Sequence, residues 1–264
     1  MESPKIDYIQ SKDNKTIKHI ISLQQRKYRQ KFGEYMVEGI RAVTDIGKKD
    51  CLRSILIRES KRSELEPIVE KGLTVSSVYV VQDPIFDKIE HSVNGQGILG
   101  IAKKCVNDLH SLIVEDGLYV ALDGVQDPGN LGTIIRTAVA AGAKGIFLLK
   151  GTVDPYNEKC VRSTMSALCN IPIFEDVTLS EFYDFIKDNT IKTYVTSLEN
   201  AKPYHTISYP KRTMIILGNE GNGVSREIIE MCDQAITIPM YGDIESLNVS
   251  IAAALCMYKV REQI

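Results

Sequence analysis

Between residues 118 and 240 the chain repeats one pattern: a short unbroken apolar run, a polar or glycine-rich stretch, then a helical period. The runs are LYVALDG (118–124), GIFLL (145–149), IPIF (171–174), KTYVTS (192–197), TMIILG (213–218) and AITIPM (235–240). Helical patterns at 131–142, 157–168, 179–188, 225–232 and 246–260 separate or follow them. Strands that are apolar on both faces and alternate with helices belong to a parallel sheet covered on both sides. This part of the chain is expected to be α/β and doubly wound, with ligands bound where loops leave the carboxyl ends of the strands.

Strand-like runs upstream, at 34–39, 54–58, 78–81 and 97–102, alternate with helical patterns at 40–49, 63–71 and 83–90. They predict a smaller α/β domain over 1–104, a linker over 105–117 and a second domain over 118–264. Charge divides in the same way. Residues 1–110 hold 19 Lys and Arg against 15 Asp and Glu, and residues 111–264 hold 13 against 19. The densest basic stretch is SKDNKTIKHIISLQQRKYRQK (11–31), with seven basic residues, one acidic, and His19 and Tyr28 interleaved. Such a run is either a solvated helix face or a surface that contacts phosphates. No apolar run reaches the roughly 20 residues of a membrane span, and MESPKIDYIQ has no leader character, so a cytoplasmic protein is expected. The six cysteines (51, 105, 160, 169, 232 and 256) form no C-x-x-C pair and have no histidine nearby, so neither a metal site nor a disulfide framework is expected.

Three strand ends stand out: LDGVQDPGNLGTIIRTA (122–138), ILGNEGNGVS (216–225) and IPMYGDIESLNVSIAAAL (238–255). The second suggests a phosphate cradle, because glycine turns before a helix expose N–H groups. Neither G-x-G-x-x-G nor G-x-x-x-x-G-K-[ST] fits Gly218, Gly221 and Gly223, however, and Glu220 puts a carboxylate where an anion would sit. The alternative is a strand-to-helix turn with Ser225 as N-cap.

Taken together, in this order and spacing, the three loops resemble the signature motifs of the SpoU/TrmH family, the ribose 2′-O-methyltransferases of the SPOUT class, over roughly 118–260. GNLGTIIRTA carries the first motif with Asn130 and Arg136. LGNEGNGVS carries the second, with Gly218, Glu220, Gly223 and Ser225, and the third spans Ile238, Pro239, Met240, Ser246, Leu247, Asn248 and Ser250. The N-terminal half is similar to the L30e-like substrate-binding domain through IQSKDNKTIKHIISL and EYMVEGIRAV. The resemblance implies a C-terminal trefoil knot, a homodimer packed through the last helix, S-adenosylmethionine as cofactor, no metal, and RNA as substrate, ribosomal (23S-type) more than transfer.

It further implies a cofactor site built from Leu217, Gly218, Asn219, Gly221, Gly223, Ile238, Met240, Ser246 and Leu247, with glycines admitting the adenine close to the main chain. Thr196 and Ser197 are rim candidates or simply hydroxyls that end a strand. Asn130, Arg136, Glu220, Ser246 and Asn248 are the catalytic candidates. Asn130 is also expected to cap helix 131–142, Glu220 to anchor Asn130, Arg136 or the RNA, and Ser246 or Asn248 to cap the last helix. A guanidinium is always protonated, so Arg136 is expected to grip a substrate phosphate and stabilise the developing alkoxide, leaving the proton to phosphate or water. RNA contacts are expected at Lys12, Lys15, Lys18, Arg26, Lys27, Arg29, Arg41, Lys159 and Arg162. In the family segment around Arg162 a serine and a glycine are usual where this chain has Thr164 and Ser166. Rival readings are a non-catalytic RNA-binding protein of the same fold, a transfer-RNA methyltransferase, and a nucleotide-dependent enzyme using the glycine loop for phosphate.

Overall fold

The structure, a computed structural model, describes residues 5–70, 73–92, 94–105 and 107–264. The chain divides into two compact units, Met1–Cys105 with Tyr156–Cys169, and Val106–Pro155 with Asn170–Ile264. The excursion at Tyr156–Cys169, expected in the second domain, belongs to the first unit.

The first unit is built on a five-stranded mixed sheet of β1 (Lys5–Ile9), β2 (Glu34–Glu38), β3 (Leu52–Arg58), β4 (Ser77–Val81) and β5 (Ile98–Lys103), in the order β1-β4-β3-β5-β2. β1, β4 and β3 run parallel, and β5 is antiparallel to both β3 and β2. The β1 strand was not foreseen, since five residues with a charge at each of two positions show no clear period. The basic stretch folds as α1 (Lys15–Ser22) and α2 (Arg26–Phe32). In α1, Asn14 caps by accepting the Thr16 N–H at 2.8 Å, and Ile17 and Ile20 turn inward while Lys15 and Lys18 stay out. A left-handed Gly33 (φ 63°) ends α2 and turns the chain into β2. The apolar cluster behind these helices joins Ile9, Ile17, Ile20, Leu23, Leu56, Phe86 and Leu99. Helices α3 (Ile40–Gly47), α4 (Arg62–Glu70) and α5 (Asp83–Phe86) complete this part. The end of the helix expected over 63–71 lies outside the described residues, and the one expected over 83–90 is a single turn.

The second unit is a seven-stranded sheet, parallel at every pairing, of β6 (Gly117–Asp123), β7 (Gly145–Leu149), β8 (Ile173–Val177), β9 (Lys192–Thr196), β10 (Lys202–Pro203), β11 (Arg212–Gly218) and β12 (Gln234–Thr237). Its order is β10-β12-β9-β11-β6-β7-β8. All of β7 is buried, as are all but one end residue of β6 and of β11, which is why these strands carry no alternation in the sequence. The helices here are α6 (Pro128–Ala140), α8 (Leu179–Asp188), α9 (Arg226–Met231) and α10 (Val249–Arg261), while α7 (Glu158–Thr164) lies in the first unit. Tyr119, Phe147, Phe174, Phe182 and Ile216 form the centre of the core, and Leu109, Leu112 and Val114 from the expected linker pack on it. α10 packs against α6 and lies over β11 and β6.

Two departures from the expected boundaries matter for the site. The apolar run at 235–240 leaves the sheet after Thr237, so Ile238 to Met240 are loop, and the last helix starts at Val249 rather than 246. Both changes lengthen the loop at 238–248.

Candidate active site

β6 and β11 are adjacent, with Asp123 beside Gly218 in register, so the loops that leave their carboxyl ends meet. The β11 loop is folded on itself. Asn219 and Gly223 exchange backbone hydrogen bonds at 2.9 and 3.0 Å, and the Asn219 Oδ1 accepts the N–H groups of Gly221 and Asn222. Asn219 Nδ2 donates to the Gly124 carbonyl at 2.8 Å, tying this loop to the one after β6. The N–H of Ser225, which stands at the N-cap of α9 without a side-chain cap bond, donates to Asp123 Oδ2. The N–H groups of Asn219, Gly221, Asn222, Gly223 and Ser225 are thus committed inside the protein, which argues against a phosphate cradle in this loop.

Gly218 is required by the same closure. A Cβ there would lie 2.1 Å from the Gly223 carbonyl carbon, so its bare backbone serves loop contact. Gly223 takes a left-handed φ of 69° and has open space where a Cβ would be, as does Gly242.

Glu220 stands at the centre of the polar network. Its carboxylate accepts from the N–H groups of Gln126 (3.1 Å) and Asp127 (3.3 Å) and from Asn130 Nδ2 (3.0 Å). Burial works against its charge, but the hydrogen bonds from Asn130, Gln126 and Asp127 outweigh it and hold the carboxyl below its ordinary range. An ionised carboxylate can only accept, so Asn130 turns its amide nitrogen to Glu220 and its oxygen to Asn248, whose Nδ2 donates at 3.0 Å. Asn248 then presents its own oxygen to the Ser250 N–H (2.9 Å) and hydroxyl (2.7 Å). One charge therefore sets the direction of a chain that runs from the β11 loop through α6 to the start of α10.

The structure brings together Asn130, Glu220 and Asn248 and leaves the other catalytic candidates outside the network. Asn130 is not the helix cap: α6 begins at Pro128, and Asp127 is the N-cap, accepting the Asn130 N–H at 2.9 Å. Asn248 does cap α10 while bonding Asn130, so the two readings of it hold together. Glu220 anchors Asn130 and not Arg136. Arg136 is exposed on α6 with no hydrogen bond or ion pair among the described residues, and Ser246 is likewise exposed and unbonded.

Among the cofactor candidates, Leu217 is buried, and Ile238, Met240 and Leu247 are half-buried at the sheet end. Thr196 donates to the Ile216 carbonyl at 3.3 Å, and Ser197 accepts the Glu199 N–H. Among the described residues, no backbone N–H from 240 to 247 donates to a protein acceptor. Sequence reading missed Asp123, Gln126, Asp127 and Thr152. Gln126 Nε2 reaches the Gly124 and Gly151 carbonyls, and the Thr152 hydroxyl ties Leu122 to Gly124. The signal for Asp127 was its place before Pro128, a common helix start.

The basic candidates lie in the first unit. Lys12, Lys15, Lys18, Arg26, Lys27 and Arg41 are exposed, with Lys18 paired to Asp13 and Lys27 over the Tyr28 ring. Arg29 is a correction: it is 4 % exposed, and its guanidinium holds the Leu23 and Gln24 carbonyls at 2.7 Å each, satisfying the end of α1 instead of facing a ligand. Lys159 and Arg162 are exposed on α7, with Arg162 3.8 Å from Glu38.

Residues 117–258 match the SpoU rRNA Methylase family. The chain belongs to it. Residues 14–100 match the MRM3-like substrate binding domain. The 23S rRNA (guanosine(2553)-2'-O)-methyltransferase RlmP of Bacillus subtilis is 32 % identical, over 96 % of this chain and 98 % of that protein. A crystal structure of an AdoMet-bound rRNA methyltransferase from Sinorhizobium meliloti matches with a TM-score of 0.85 at 30 % identity, covering 97 % of this chain and 98 % of that one. The SpoU methyltransferase AviRb from Streptomyces viridochromogenes matches at 0.82 and 25 % identity, covering 95 % and 97 %. A SpoU methylase domain joined to a substrate-binding domain thus makes up this chain, and the polar network lies within the methylase segment. No helix among the described residues is long and apolar enough to cross a membrane.

Proposed function

We propose that this protein transfers a methyl group from S-adenosylmethionine to a ribose 2′-hydroxyl of large-subunit ribosomal RNA. The observation that carries the reading is the Glu220–Asn130–Asn248 network at the paired ends of β6 and β11, in a chain of the SpoU family whose full-length relatives include a 23S ribosomal RNA 2′-O-methyltransferase.

The sheet end fits an adenosyl group. Leu217, Ile238, Met240 and Leu247 offer apolar walls, Gly223 and Gly242 leave open space, and the loop at 240–247 has main-chain donors to spare. These residues, with Gly218, Asn219, Gly221 and Ser246, would hold the cofactor, and Thr196 and Ser197 would lie at its rim. When bound, S-adenosylmethionine supplies an electrophilic methyl group to the acceptor oxygen.

The chain's own groups position the acceptor. Glu220 is a poor base, since its carboxylate is already bonded by three donors and held ionised; it acts by fixing Asn130. Asn130 and Asn248 orient the ribose, and the free guanidinium of Arg136 takes the neighbouring phosphate and stabilises the charge that develops on the 2′-oxygen. The proton passes to that phosphate or to water. In the first unit, Lys12, Lys15, Lys18, Arg26, Lys27 and Arg41, with Lys159 and Arg162, give the RNA a positive surface.

Two further readings rest on the topology. The order β12-β9-β11-β6, with α10 returning over β11 and β6, supports a C-terminal segment threaded as a trefoil knot. Ile251, Leu255 and Tyr258, exposed along one face of α10, support a homodimer through that helix. A ribosomal RNA substrate supports a cytoplasmic location, where ribosomes are assembled.

Incubating the protein with labelled S-adenosylmethionine and unmodified total RNA, followed by size fractionation, tests the substrate class. Label in large-subunit ribosomal RNA is expected, and label confined to transfer RNA would overturn that assignment.

A further inference from the structure

The six cysteines show no metal-binding spacing, yet the fold gathers three of them. The Sγ atoms of Cys51, Cys105 and Cys169 all lie within 4.8 Å of one another, inside the first unit. They come from three separate places. Cys51 follows Asp50, a left-handed residue (φ 55°) in the turn before β3, Cys105 stands two residues past the end of β5, and Cys169 sits in the 3-10 turn Ala167–Asn170.

Cys160 and Cys256 are fully buried, as cysteines used as small apolar fillers are; Cys51, Cys105, Cys169 and Cys232 are partly open to solvent, and the first three of these are the ones the fold gathers. Their surroundings suit a cation held by thiolates. The Tyr35 hydroxyl is 3.4 Å from the Cys169 sulfur, and Lys49 donates to the Cys169 carbonyl at 3.2 Å, bringing a positive charge beside the cluster.

We propose that Cys51, Cys105 and Cys169 form a three-thiolate site for Zn2+, with a solvent molecule in the fourth position. Tetrahedral zinc with Zn–S bonds of about 2.3 Å sets its sulfurs about 3.8 Å apart, so the trio closes on an ion through side-chain adjustments of about an ångström or less. As three S–Zn bonds form, three S–H bonds break and their protons pass to solvent. The cluster then carries one net negative charge, opposite the Lys49 ammonium. The placement gives the ion a structural task. The chain leaves the first unit at Cys105 and, after its return through α7, leaves it again at Cys169. The ion fastens both points to Cys51 at the edge of β3.

The test uses the full-length protein, freed of metal and kept reduced with a phosphine. Cobalt(II) is added as the spectroscopic stand-in for zinc, and the six thiols are then alkylated with and without zinc and mapped by mass spectrometry. One equivalent of cobalt is expected to give thiolate charge-transfer absorption and intense tetrahedral visible bands that zinc displaces. Zinc is expected to protect Cys51, Cys105 and Cys169 together from alkylation and to raise Tm. Cys51→Ser and Cys169→Ser should lose the cobalt bands, and Cys232→Ser should keep them. Absent cobalt–thiolate absorption, or a wild-type alkylation pattern unchanged by zinc, would overturn the site without depending on how any variant folds.

Discussion

Glu220 controls more than its own contacts, because its charge decides which way two amides face. Replacing it by Gln keeps the size and permits one hydrogen bond to Asn130, but removes the charge that forbids the reversed arrangement. Glu220→Gln is expected to lower kcat about tenfold with RNA affinity little changed, as loss of one charge-assisted hydrogen bond implies. A variant with wild-type kcat would show that Asn130 is held by something else. The pH dependence follows from the same contacts. Since the folded carboxyl lies below its ordinary value of 4.5, its contribution to stability is complete above that value and fades as pH falls through the depressed one. A melting series should therefore show Glu220→Gln and wild type converging at low pH and separating toward neutral pH. Ser166 offers a second test at this scale. Its φ of 74° is a glycine conformation, consistent with the glycine usual at that point of the family segment. Ser166→Gly should stabilise the protein by about 0.5 kcal/mol, seen as a small rise in Tm, and a fall would mean that the serine hydroxyl contributes more than the backbone strain costs.

The glycines of the β11 loop look alike in sequence and differ in the fold. At Gly218 an added Cβ would meet the Gly223 backbone at 2.1 Å, whereas at Gly221 the nearest atom is Asn219 Oδ1 at 3.5 Å. Gly218→Ala should force the loop open, at a cost of about 2 kcal/mol or more, and weaken S-adenosylmethionine binding; Gly221→Ala should be tolerated by the fold. Equal Tm values for the two variants would contradict the loop closure. The reason this was only half legible beforehand is specific. Three glycines between a strand and a helix announce a special backbone, but only the Asn219–Gly223 pairing reveals that the loop's donors are spent on itself. Six of the seven strands of the second unit were legible as unbroken apolar runs, while β10, two residues with no apolar run, was not foreseen, and strand ends were less legible: Ile238 and Met240 continue the run of β12 yet line the loop. Arg29 was misread because a basic residue among basic residues carries no sign that its guanidinium turns inward. On α10, Ile251→Glu with Leu255→Glu should convert a dimer to a monomer in light scattering. An unchanged mass would remove that helix from the interface.

At the scale of the whole molecule, the sequence motifs announced a methylase segment and a substrate-binding segment, and both matched. What stayed hidden was long-range: the return of Tyr156–Cys169 to the first unit, and with it the meeting of three cysteines separated by 54 or more positions in the chain. No local period encodes such contacts. The central claim, that methyl transfer goes to a ribose oxygen, can be decided from the chemistry of the product. Alkaline cleavage of RNA needs a free 2′-hydroxyl. Ribosomal RNA labelled by the wild-type enzyme from S-adenosylmethionine is hydrolysed in alkali and the products are separated, with Arg136→Ala run alongside. The account predicts label in alkali-stable dinucleotides and a fall of about a hundredfold in the variant. Label released in mononucleotides would place the methyl group on a base and contradict it.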